Sequence, residues 1–522
     1  MGGMAAQRKS RRAGGRQAKM ATRSAPLSEN IRPIKAGMDG GTYKPLNDGD
    51  IARIHDSALR ALEEIGLSEA PPTGIAAMIK SGAILGDDGR LRFPRALVES
   101  MLAKAARNFT IFGQDPKHDL QPGGRRVHFG TGGAAVHIVD VKGRDYRESR
   151  LQDLYDAARI ADQLDNIHFF QRPVVARDMV SPRDLDINTV YACISGTTKH
   201  IGSSFVSPQN VRDTVKMLHV AAGGEDRWRA RPFVSNSVCF VVPPFKFATE
   251  ACEVMEACIH DGLPILLLSA GQAGATAPPA LAGAVTQAVA ECLAGVVYVN
   301  AIKPGHPAIF GTWPFVSDLR TGAMSGGSGE QALLSAACGQ MAQFYDLPGG
   351  SAAGMADSKL PDAQAGYEKG ITTVMAGLAG TNMIYESAGM HGSLLGFCLE
   401  SLIIDNDILG QALRCVRGIE VNEETLSLEA IRQVCLEGPG HYLGHEQTLK
   451  LMERDYVYPD LGDRTSPKEW LERGKPDLVE NATKEKKRIL DTVFPNHIPA
   501  DVDQVIRSVV DIKLSRAAMM PK

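Results

Sequence analysis

Between residues 134 and 390 the chain alternates, eight times over, a short apolar run of strand character with a longer amphipathic stretch of helical character. The runs are AAVHIVD (134–140), IHFFQRPVVA (167–176), HIGSSFV (200–206), PFVSNSVCFVV (232–242), PILLLSA (264–270), PAIFGTW (307–313), GSAAGMAD (350–357) and MIYESAGM (383–390). Helical spacing follows in stretches such as LQDLYDAARIADQL, FATEACEVMEACIHDG and EQALLSAACGQMAQFYD, and after the last run in LLGFCLESLIIDNDILGQAL. Strands joined by right-handed helical crossovers run parallel, and eight of them close into a barrel with no exposed edge. An open doubly wound sheet is the competing arrangement, and no GxGxxG lies between a strand and a helix to support it.

The predicted organisation is α/β. A basic tail covers 1–26, an N-terminal α+β region 27–130, a TIM (βα)8 barrel 131–420 and a C-terminal helical extension 421–522. In the α+β region, Ile51, Ile54, Leu59, Leu62 and Ile65 share one helical face behind the cap residues Asn47 and Asp48, while RLRF and NFTIFG have strand character. The charged helical stretch around Trp470 suits an arm laid over the barrel. The tail carries Arg8, Lys9, Arg11, Arg12, Arg16, Lys19 and Arg23 with no acidic residue before Glu29. No apolar segment follows, so it reads as a solvated, disordered tail rather than a secretion signal.

Composition excludes several classes of function. A hydrophobic content of 44% and a charged content of 22% are those of an ordinary globular protein. A net charge of −3 gives no general attraction to nucleic acid or anionic membrane. Nine scattered cysteines without a CxxC pair predict reduced thiols and a cytoplasmic location. No uninterrupted apolar run predicts a membrane span.

In a βα barrel the reacting groups stand at the C-terminal ends of the strands. Those positions here hold Asp140, Phe205, Ser207, Ser269, Gln272, Trp313, Asp357, Lys359, Tyr385, Glu386 and His391. Carboxylates mixed with aromatic rings suit a cation, which ring faces attract and a carboxylate balances. Polar residues at strand ends also serve as caps, so each position carries a structural alternative. The loops GTGG, SAGQAGATAPP, TGAMSGGSGE, GGSAAGM and SAGMHG crowd the same end with small residues and leave room for a broad, planar guest. His441 and His445 are four apart but lack the HExxH order, and no metal site is predicted.

The segments GMADSKLPDAQAGYEKG, NMIYESAGMHG, the GTGG run ending at Asp140 and GPGHYLGHEQTLK resemble the corrinoid-dependent trimethylamine methyltransferase family, over about residues 30–510. The resemblance implies a TIM barrel that moves a methyl group from a methylated amine to the cobalt of a corrinoid (cobalamin) carried by a separate small protein. Trimethylamine-specific members insert pyrrolysine through an amber codon. This chain holds only the standard twenty residues and is similar to the non-pyrrolysine branch, which includes glycine betaine methyltransferases. The resemblance further implies functional roles for an aspartate and a histidine at Asp140, after the first strand, and His391, after the eighth.

The chemistry agrees with that branch. A quaternary ammonium leaves as a neutral tertiary amine, so it can be displaced by a cobalt(I) nucleophile without a covalent helper. The protein then supplies a dry cage, alignment and charge balance. The expected cage is Phe205, Trp313 and Tyr385 with Glu386 or Asp140 opposite, and Asp357 and Lys359 are further substrate-binding candidates. A substrate carboxylate, where present, is expected at His391 or Lys359. The expected partners are a small quaternary amine, the corrinoid protein and further copies of the chain. Two other readings stay open: a barrel lyase or aldolase forming an imine on Lys359, and a non-catalytic betaine or corrinoid binder.

Overall fold

The structure is a computed structural model that describes residues 32–438 and 440–521; the basic tail lies outside the described residues. Eight parallel strands form the barrel: β1 (Arg126–Phe129), β2 (Phe169–Gln171), β3 (His200–Ser203), β4 (Val234–Val238), β5 (Ile265–Ser269), β6 (Ala308–Thr312), β7 (Gly349–Ala352) and β8 (Met383–Tyr385). Each pairs in parallel with the next, and β8 returns to β1 through Met383 opposite His128 and Ile384 opposite Phe129. The seam between β1 and β2 closes through a parallel bridge from Gly130 to Phe169, with the His168 N–H donating to Phe129 O at 2.7 Å.

The first strand is a correction. The run 134–140, expected to open the barrel, places His137–Asp140 in a four-stranded sheet with Asp145–Glu148, Gly396–Phe397 and Met390–His391. The barrel begins upstream, in a run of four residues holding an arginine and a histidine. So short a strand shows little periodicity, whereas 134–140 has the stronger strand composition and pairs elsewhere.

The helices follow from their patterns. In the N-terminal region, α1 (Asp48–Glu64), capped by the Asn47 side chain, α2 (Pro72–Ser81) and α3 (Arg95–Lys104) precede the barrel. Around it run α4 (Leu151–Asp162), α5 (Pro182–Gly196), α6 (Pro208–Ala222), α7 (Thr249–Asp261), α8 (Leu281–Ile302), α9 (Gly329–Phe344), α10 (Ala363–Ala379) and α11 (Leu399–Arg417). Helix α8 is long and apolar enough, by length and composition, to cross a membrane, although the sequence showed no such run; it is mostly buried in the core. Helices α1, α2 and α3 pack on its outer side and the barrel on its inner side, which is why it is apolar all round.

The C-terminal extension divides. Ile419–Tyr458 groups as a small unit of its own, whereas Pro459–Lys522 belongs with the barrel. There α12 (Leu478–Thr492) lies on α4 and α11, and α13 (Ala500–Val509) lies on α6. The Arg159 guanidinium on α4 fastens this arm by donating to Leu490 O and Val493 O at 3.1 and 3.0 Å.

Below the mouth, the barrel floor is lined by histidines kept neutral by burial. His128 and His200 are both pushed down to about 4, and His168 well below its usual value. His128 Nδ1 pairs with Asn382 O, His200 Nδ1 with Phe112 O, and His168 Nδ1 accepts from the Phe129 N–H.

Candidate active site

Strand β8 delivers the central residues. Tyr385 ends it, and a Cβ on Gly350 of β7 would lie 3.2 Å from the Tyr385 ring, which places that ring inside the barrel. Simple alternation would send the next side chain outward. Glu386 instead has φ +63°, and this left-handed residue breaks the alternation. Its side chain lies against Gly132, where a Cβ would come within 2.9 Å of both Glu386 Cγ and Glu386 N. Glycine at 132 is therefore required for the carboxyl to occupy this place.

Glu386 is 2% exposed, and its Oε2 has no hydrogen-bond partner. Burial alone pushes the carboxyl up to about 8, so it holds a proton at neutral pH. The rings beside it are continuous. Tyr385 stands 4.8 Å from Phe169, edge to face, and 5.1 Å from Trp313 at 42°, and Trp313 meets Phe315 at 6.5 Å. Trp313 follows β6, with its backbone N–H donating to Ser269 O at 2.9 Å and its indole Nε1 unpartnered. Phe169 can stand upright only because Gly130 faces it, since a Cβ there would lie 2.3 Å from the ring.

Two further groups complete the mouth. Cys239, just past β4, is exposed, yet burial raises its thiol, the nearby Glu386 carboxyl raises it further and Arg172 lowers it. Arg172, just past β2, is partly buried and donates from Nε and Nη2 to Ser204 Oγ. A desolvated acid next in sequence to an aromatic wall can take up a cation and give up its proton as the charge arrives.

The comparisons with known proteins bear on this arrangement. The family model described as trimethylamine methyltransferase matches residues 12–518. The chain belongs to that family. Among its relatives, the trimethylamine methyltransferase MttB of Desulfitobacterium hafniense is 30% identical over 93% of this chain and 97% of its own length. The glycine betaine methyltransferase of the same species is 29% identical over 90% of this chain and 96% of its own length. The solved monomethylamine methyltransferase (MtmB) of Methanosarcina barkeri is 11% identical, with a TM-score of 0.46, and the match covers 84% of this chain and 98% of that one. The chain spans nearly the whole length of both methyltransferase relatives.

The candidates read from the sequence are scattered by the fold. Trp313 and Tyr385 come together, with Glu386 the next residue after Tyr385, while Phe205, buried just past β3, joins no ring pair among the described residues. Asp140 does not follow the first barrel strand: it is exposed in the hairpin beyond it, where its Oδ1 accepts from the Lys142 N–H. His391 is fully buried between Ser358 O and Ser401 Oγ, 3.2 and 2.6 Å away, and burial lowers it to about 3. It clasps the loop after β7 to α11. Asp357 is a loop organiser, accepting from Ser325 Oγ, the Gly326 N–H and Ser393 Oγ. Lys359 is exposed, with its ammonium on Asp357 O at 2.7 Å, so it lacks the desolvation an imine-forming lysine needs. Behind Glu386, Asp405 Oδ2 receives both Lys369 Nζ at 2.5 Å and the Gly389 N–H at 2.7 Å, fixing the segment that leads away from β8.

Phe169, Arg172 and Cys239 were not among the sequence candidates. Phe169 and Arg172 lie within the run 167–176, so reading that strand to its true end at Gln171 would have exposed Arg172 as a mouth residue. His441 and His445 form no metal cluster: among the described residues no group of histidine, cysteine or acidic side chains is arranged for one, and His445 caps a short helix.

Proposed function

We propose that the protein removes a methyl group from a quaternary amine, such as glycine betaine, held at the mouth of the barrel, and passes it to a corrinoid on a partner protein. The observation that carries this reading is Glu386: a buried carboxyl whose Oε2 has no partner, on the residue that follows Tyr385, whose ring packs on Trp313. Such a group is costly to keep in a folded protein unless a ligand completes it. A permanent cation completes it best, because the rings attract its charge and the carboxylate forms as the proton leaves.

In this reading Trp313 and Tyr385 hold the trimethylammonium head and Glu386 balances it. The C–N bond breaks with its electron pair staying on nitrogen, which departs as a neutral tertiary amine. The corrinoid, when docked, supplies the cobalt(I) nucleophile that accepts the methyl group. The rim suits a flat, largely apolar guest: Val206, Leu319 and Leu395, on loops after β3, β6 and β8, are all exposed. Carbon is attacked opposite the departing nitrogen, so the cage must aim one N-methyl at the opening.

The exposed position of Lys359 weighs against the imine-forming alternative. Nine free cysteines suit a reducing cytoplasm. The test is a panel of methylated amines supplied with reduced cobalamin or corrinoid protein, followed by the absorbance change as cobalt is methylated. Methylation by a quaternary amine, with a tertiary amine as product, is expected. Binding without methylation would leave a non-catalytic binder, and activity confined to tertiary amines would overturn the reading.

A further inference from the structure

Glu386 has a backbone conformation that side chains resist, with φ +63°, so the surrounding structure must hold the turn it begins. One side of that hold is the barrel. The Glu386 N–H donates to Thr131 O at 3.3 Å and the Ser387 N–H to Gly130 O at 2.9 Å. The other side is α11 and the residue ahead of it. Asp405 Oδ2 accepts from the Gly389 N–H at 2.7 Å, and the Cys398 N–H donates to Gly389 O at 2.8 Å. Gly389 has φ +85°, and a Cβ there would lie 2.2 Å from the Phe397 ring, so only glycine brings the backbone this close. Two residues on, His391 Nε2 pairs with Ser401 Oγ at 2.6 Å, one turn before Asp405 on the same helix.

Asp405 is itself held. Lys369 Nζ, on α10, donates to the same Oδ2 at 2.5 Å, and both side chains are 2% exposed. Burying two charges costs desolvation that their attraction offsets only in part, and an apolar pair of similar volume is often as stable or more so. Joining α10 to α11 therefore does not require this pair. Fixing a direction is what it does well. Burial raises the Asp405 carboxyl and the Lys369 charge lowers it, and an ionised carboxylate grips an N–H more firmly than a neutral acceptor does.

We propose that Asp405 is a positioning residue of the active site, holding the turn from Glu386 to His391 by its bond to the Gly389 N–H, with Lys369 as its buried counter-charge. Asp405 acts only through the backbone that it holds. This rests on the proposed function, in which Glu386 balances the cation, and adds to it the device that presents the carboxyl.

The experiment removes both charges together, so that neither is left buried alone. The first double variant, Lys369→Met with Asp405→Asn, keeps an acceptor for the Gly389 N–H; the second, Lys369→Met with Asp405→Val, does not. Full chains are compared by thermal unfolding and by calorimetric titration with glycine betaine at pH 7, in buffers of different ionisation enthalpy. Both are expected to melt within about 5 °C of wild type. The first is expected to bind within about threefold of wild type and to release close to one proton. The second is expected to bind at least about tenfold more weakly, the return of one hydrogen bond, and to release markedly less than one proton. A purely structural pair would move the melting point and leave the proton count alone. Wild-type affinity and proton count in the second variant would overturn the positioning role, as would an equal loss in both. Where the second variant does not fold, the first decides: binding within about threefold supports the role and a tenfold loss overturns it. Wild type that binds without releasing a proton would instead overturn the reading of Glu386, which leaves the affinities of the two variants to judge Asp405.

Discussion

Glu386 is the residue on which most depends. In the unfolded chain its carboxyl titrates near the ordinary value of about 4.5, whereas in the fold it keeps its proton up to about 8. The contribution is therefore fully present below pH 4.5 and is lost as pH rises toward 8, because the unfolded state sheds a proton that the native state must retain. Glu386→Gln keeps the shape and removes the titration. It is expected to raise stability at pH 8 by roughly 2–5 kcal/mol while changing little at pH 5, as read from denaturant midpoints at the two values. The same variant is expected to abolish the pH dependence of quaternary-amine binding, which in wild type strengthens as pH rises from 6 to 8.

At the scale of elements, the aromatic wall depends on glycines in neighbouring strands. Gly130→Ala would place a methyl group 2.3 Å from the Phe169 ring. The expected cost is about 1–3 kcal/mol of stability from overpacking, together with weaker amine binding as Phe169 shifts against Tyr385. A urea titration and a binding isotherm on the same variant test both. The seven strands β2 to β8 were legible because each is a compact apolar run ahead of a helical pattern, as in ILLLS before α8. Strand β1 was not, since RVHF owes its place to the closing bridge from Gly130 to Phe169. Losing it displaced the expected role of Asp140. Trp313, Tyr385 and Glu386 were legible because strand ends are where such barrels keep their chemistry. Phe169 and Arg172 were hidden inside a run drawn too long, and whether His391 faces a cavity or the core is not a property of its neighbours in sequence.

For the whole molecule, the histidine floor and Glu386 set opposite limits. His128 and His200 are held neutral by burial, each pushed down to about 4 from the usual 6.5. Their contribution is present above pH 6.5 and is lost as pH falls toward 4, because the unfolded chain takes up protons that the native floor refuses. Each is worth up to about 3 kcal/mol over that window. Thermal unfolding across pH is therefore expected to show a maximum near neutrality, with a steep acid limb from the histidines. A shallower alkaline limb from Glu386 should flatten in Glu386→Gln. A midpoint that stays constant from pH 6.5 to 4 would contradict the neutral floor.

The most direct test of a permanent cation seated against Glu386 is the proton count on binding, measured by calorimetry at pH 7 in buffers of different ionisation enthalpy. Since burial keeps the carboxyl protonated up to about 8, arrival of a quaternary amine is expected to release close to one proton in wild type and none in Glu386→Gln. Binding of the same amine with no proton released from wild type would contradict that seat.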